Sequence, residues 1–149
     1  MIFRFAKLFI YSAGVLLLIT GVAKVITGFG SANVLALPDP IFKIQFRFVF
    51  WIVGGIEIVI AYICFLGKSQ WFKIGIIAWL TTCFVFYRVG LHLVYYSKPC
   101  SCLGVMTEAL GIQPELAASI LKAVLCYLLI GSYGLLLFTC KSNKLTLEK

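Results

Sequence analysis

Four long apolar runs dominate this chain and leave few folds open to it. Leu8 to Phe29 carries one charge, Lys24. Phe48 to Leu66 carries one, Glu57. Ile74 to Tyr96 carries Arg88 and His92, and Leu116 to Cys140 carries Lys122 near its start. Each run is roughly 20 residues or longer, which a helix needs to cross about 30 Å of hydrocarbon. Spanning strands are about half that length and alternate in polarity, so a membrane β-barrel is excluded as a reading. Composition agrees: 62% of residues are hydrophobic and 12% charged, against about a quarter charged in soluble domains. The net charge of +8 does not point to nucleic acid, because the basic residues sit at the ends of apolar runs and form no stripe.

The expected fold is therefore all-α. It is a single membrane domain over residues 1–149, an up-down bundle of four transmembrane helices over about 8–29, 46–66, 72–97 and 115–140. Arg4, Lys7 and the following apolar stretch imitate a signal peptide. The run continues to Phe29, however, which favours an uncleaved anchor. Lys and Arg near the run ends set orientation. Arg4, Lys7, Lys68, Lys73, Lys141, Lys144 and Lys149 fall on one side; Lys43, Arg47, Lys98 and Lys122 fall on the other. The excess puts both termini in the cytoplasm.

The connections follow from this layout. "GKSQ" (Gly67 to Gln70) is a tight turn and predicts that the second and third helices are antiparallel neighbours. "SANVLALPDPI" (Ser31 to Ile41) has an apolar centre closed by Pro38-Asp39-Pro40, and is expected to lie along the membrane interface. In the last connection "PEL" (Pro114 to Leu116) reads as a helix start. Val105 to Leu110 allows one or two turns of surface helix ended by Gly111.

That last connection also holds "KPCSCLG" (Lys98 to Gly104). On the expected topology it faces the periplasm, an oxidising compartment where cysteines form and use disulfides. Residues i and i+2 lie about 5.5 to 7 Å apart at Cα, at the upper edge of disulfide geometry. A Cys100–Cys102 bridge closes almost no loop and adds little stability, so a structural disulfide rarely has this spacing. Strained, exposed disulfides are the labile or catalytic ones. Lys98 favours the thiolate. Two bland readings stay open, incidental thiols and a soft Cu(I) site that adds Met106 and His92. Cys64, Cys83, Cys126 and Cys140 read as small apolar filler.

Charges inside apolar runs are costly and usually face a partner in the bundle interior. Glu57 and Arg88 lie at matching depths, and Arg88 and His92 share one face as i and i+4. The expected cluster is a Glu57–Arg88 pair with His92 one turn nearer the dithiol. Lys24 either joins them or snorkels to the headgroups, and Lys98 stands in the loop above. Its function is read either as a structural latch or as a proton path and quinone-headgroup site. Tyr87, Tyr95 and Tyr96 read as interface aromatics.

Together these residues resemble the methylamine-utilisation MauE family, a branch of the DoxX-like membrane proteins. "CSCLG" is similar to its C-x-C-F-G element, with Leu103 where Phe is usual. "TGVAKVITG" (Thr20 to Gly28) is similar to the Gly-x-x-Lys pattern ending its first helix, and "VGGIEIVIA" (Val53 to Ala61) to its second helix with a buried Glu. The resemblance implies a redox-associated inner-membrane protein that supports maturation of a disulfide-containing periplasmic protein. Cys100 and Cys102 would exchange disulfides with a thioredoxin-like or client partner, with quinone as the membrane acceptor. The same bundle logic recurs in vitamin K epoxide reductase, at the level of fold alone. The alternatives are a non-catalytic membrane subunit or maturation factor, and a Cu(I)-binding membrane protein.

Overall fold

The computed structural model describes residues 2–30, 33–36, 38–39, 41–93 and 114–147. Its long elements are all helical: α1 (Ile2–Gly28), α2 (Phe46–Leu66), α3 (Gln70–Leu93) and α4 (Pro114–Leu147), with one 3-10 turn (Asn33–Ala36) between α1 and α2. All four contain a stretch long and apolar enough to cross a membrane. Two helices outrun their apolar cores. α1 starts at Ile2, six residues before Leu8, and α4 continues past Cys140 to Leu147. Hydrophobicity limits the length immersed in hydrocarbon, whereas backbone hydrogen bonds carry a helix on into polar sequence. α4 does begin at Pro114, where the missing N–H of proline costs nothing.

The helices associate as two pairs. α1 packs most extensively on α2, and α3 next most on α4. α2 and α3 meet only sparsely. The tight turn at Gly67 therefore connects the two pairs without making α2 and α3 close-packed neighbours, contrary to the expectation from loop length. A short loop brings two helix ends together, but side-chain size along the faces decides which helices approach.

Glycine supplies that approach between α1 and α2. Gly14, Gly21 and Gly28 are seven residues apart, two helical turns, and so share a face of α1. A Cβ on Gly21 would lie 2.9 Å from the Gly54 carbonyl oxygen, and one on Gly54 would lie 2.9 Å from that of Gly21. Gly14 faces Cys64 and Phe65, and Gly28 is covered by the Trp51 ring. Small residues at a crossing let backbones pack closely where lipid offers no hydrophobic drive for association. α4 meets α1 in a similar way at one point, where Phe9 fills the space beside Gly131.

The apolar core draws on all four helices: Phe9, Ile10, Ala13 and Leu17 of α1, Ile60, Ala61 and Cys64 of α2, Ile74, Ile77 and Leu80 of α3, and Leu128 of α4. It occupies the half of the bundle nearer the α2–α3 turn. There Lys73 is buried, and its Nζ donates to the Cys64 carbonyl at 2.6 Å. This ammonium caps the last turn of α2, where unpaired carbonyls gather and cations are favoured. Lys73, counted for orientation as a basic residue near a run end, is thus also committed to the fold.

Candidate functional site

The other half of the bundle holds its polar centre. At the Gly21–Gly54 crossing the antiparallel helices set Lys24 opposite Gly54 and Glu57 opposite Gly21. Lys24 Nζ donates to Glu57 Oε1 at 2.5 Å, and the side chains are 12% and 2% exposed respectively. Lys24 Nζ also stands 5.3 Å from the centroid of the Phe84 ring on α3, within cation–π range. Glu57 Oε2 is buried and has no hydrogen-bond partner among the described residues. Thr20, also beside the carboxyl, donates its hydroxyl to the Leu16 carbonyl at 3.0 Å.

The expected Glu57–Arg88 pair is not formed. Among the described residues Lys24–Glu57 is the one salt bridge. The reason lies in the packing. Gly21 and Gly54 bring α1 against α2, and Lys24 lies one turn from Gly21, whereas α3 scarcely touches α2. Matching depth is not enough when the two helices are not neighbours. Arg88 is half-buried and His92 is exposed near the end of α3. Phe84, Arg88 and His92 recur at four-residue steps, so they form one stripe running outward from the buried pair. Cys100, Cys102, Lys98, Met106, Tyr95, Tyr96 and the surface-helix stretch Val105 to Leu110 lie outside the described residues.

Of the other cysteines, Cys64 is wholly buried, as filler should be, while Cys83 and Cys126 are exposed on the outside of their helices. Of these three, apolar filler describes Cys64 alone, since an outward position leaves a thiol nothing within the bundle to pack into; the Cys140 side chain lies outside the described residues.

A second polar assembly lies in the segment expected along the membrane interface. Asp39, between two prolines, is fully buried. Its Oδ1 accepts the backbone N–H of Ile41 at 2.8 Å and of Phe42 at 2.9 Å, an Asx turn. Its Oδ2 accepts the Tyr87 hydroxyl of α3. Phe42 stacks on the Tyr87 ring with 13° between the planes, and Ile41 fills the space beside Gly90. The segment closes on itself through the Pro38–Gln45 bridge, with Lys43 at a φ of 55°. Tyr87 is therefore the anchor for a strap between α1–α2 and the outer part of α3, a more specific role than an interface aromatic. The Asp-Pro context was the sequence signal for the turn; nothing in it named Tyr87 as partner.

Compared with protein-family models, curated proteins and solved structures, the chain finds no match.

Proposed function

We propose that this chain is a MauE/DoxX-like thiol–disulfide redox component of the inner membrane. Cys100 and Cys102 are its reactive pair, placed in the polar link between the third and fourth apolar helices. That placement is the observation that carries the reading. On the reading that each of the four apolar helices crosses the membrane, the even number of crossings and the Lys/Arg bias support both termini and the Gly67 turn on the cytoplasmic side and the cysteine link outside. In the cycle, a periplasmic dithiol attacks the Cys100–Cys102 disulfide. It leaves as a disulfide, with its two electrons and two protons on the chain's cysteines. A membrane quinone then takes two electrons and two protons, and the disulfide re-forms. A quinone carbonyl needs hydrogen-bond donors near the membrane edge. Half-buried Arg88 and exposed His92, on one face of α3, are the described residues that fit, because Lys24 is committed to Glu57.

The order of the loop assigns the two thiols. Lys98-Pro99 precedes Cys100, which is assigned to the soluble partner; Cys102, the later in the sequence, is assigned to the acceptor. Cys102→Ser should then trap a mixed disulfide with a periplasmic protein on a non-reducing gel, and Cys100→Ser should trap much less. Thiol trapping in cells should find the pair more reduced when respiratory quinone is depleted. A variant keeping only Cys100 should react with an impermeant maleimide in intact cells; labelling only after permeabilisation reverses the orientation. Full client maturation by the Cys100→Ser, Cys102→Ser double variant would leave the non-catalytic subunit as the reading.

A further inference from the structure

The Lys24–Glu57 pair has an asymmetry that a simple latch does not need. One carboxylate oxygen meets an ammonium; the other is buried with no hydrogen-bond donor among the described residues. An unpaired buried polar atom costs roughly 1 to 3 kcal/mol, and more when charged. Glu57 itself is 1% exposed, so no donor reaches it from solvent, and the Thr20 hydroxyl beside the carboxyl also donates to the Leu16 carbonyl. The donor that needs least space is a proton.

We propose that Glu57 is a reversible proton-binding site inside the bundle, with Oε2 as the atom that takes the proton. The site has two states. In the ionised state Glu57 Oε1 holds Lys24. In the protonated state an O–H bond forms at Oε2, the carboxyl is neutral, and the bundle carries one more positive charge. That charge is not stranded, because Lys24 already lies over the Phe84 ring, 5.3 Å from its centroid. A π face attracts a cation whatever the charge on the carboxyl, and most strongly where water is scarce. Lys24 is also the more accessible partner, 12% exposed against 2%. The groups around the carboxyl are few. α1 supplies Lys24 and the Thr20 hydroxyl. α3 supplies Phe84 and, further out on the same stripe, Arg88 and His92. This inference does not depend on the redox reading and needs no cysteine.

The test is pH-difference infrared spectroscopy of the full chain in lipid nanodiscs, in the Cys100→Ser, Cys102→Ser background. The thiols then contribute nothing, and failure of the redox reading cannot affect the result. A protonated-carboxyl band is expected in acid buffer that fades as the pH rises. It should vanish in Glu57→Gln and change frequency in Glu57→Asp, which keeps a carboxyl should Gln not fold. Lys24→Met should hold the band into alkaline buffer, since the carboxylate then has no cation. Phe84→Leu should weaken it. A Glu57-dependent band absent at every pH would make the pair a permanent salt bridge and overturn the proposal. A band present unchanged at every pH would overturn it equally.

Discussion

The two helix pairs use different means to hold together. α1 and α2 meet through a seam of glycines and bury an ion pair in it. α3 and α4 have no comparable seam: Gly75 and Gly134 face open space. Only 11% of the α4 span is buried inside the chain, against 39% for α1 and for α2. α4 is instead fastened to α3 by the Thr82 and Tyr133 hydroxyls, 2.8 Å apart, while the Ser12 and Tyr127 hydroxyls, 2.7 Å apart, tie it to α1 across the pairs. In an apolar solvent, burying Leu against Leu gains little over Leu against lipid. Tight pairing then needs close backbone contact or a polar bond, and each pair relies mainly on one of these.

The contrast is most easily broken at its centre. Gly21→Leu drives a side chain into the Gly54 backbone and should abolish folded protein in detergent, or cost well over the roughly 1 to 3 kcal/mol of ordinary overpacking. Gly134→Ala has nothing within 4 Å and should be neutral, or stabilise by up to about 1 kcal/mol through helix propensity. Equal effects from the two would mean that the seam does not hold α1 to α2.

The ion pair comes next. Glu57→Leu leaves Lys24 without its carboxylate and should cost about 3 kcal/mol or somewhat less, given the partners available in a bilayer. Adding Lys24→Met should restore a good part of the melting temperature, and adding Arg88→Met should not. Rescue by Arg88→Met instead would reinstate the pairing that depth alone suggested.

The strap between the pairs should matter less. Asp39→Ala removes the acceptor of two backbone N–H groups and of the Tyr87 hydroxyl. A loss of about 2 kcal/mol is expected, with Tyr87→Phe costing about 1. Both are readable as thermal shifts, and as faster proteolysis after Lys43. The smallest effects belong to α4. Tyr127→Phe and Tyr133→Phe should each cost about 0.6 kcal/mol, the usual size of an interhelical hydrogen bond in a membrane. A much larger loss from either would show that α4 depends on that single bond.

Much of this architecture was readable in one dimension. Length and hydropathy marked four helices long and apolar enough to cross a membrane, and the second, Phe46–Leu66, coincides with its expected bounds. The isolated charges Lys24 and Glu57 stood out because a charge in an apolar run needs a partner. Asp39 did not stand out, because the sequence showed it only as part of a segment expected along the membrane interface. Its burial depends on Tyr87, 48 residues away.

Hydropathy and length are local properties: solvent acts on each segment separately, so the number of helices and their apolar character follow from the order of residues. Partner choice is not local. Glu57 pairs with Lys24 and not with Arg88 because two glycines, 33 residues apart, let α1 and α2 touch backbone to backbone while α3 stays apart. Any of the three helices was apolar enough to lie against another. The shape of the packed faces chose between them, and with that choice it set which charge lies beside which.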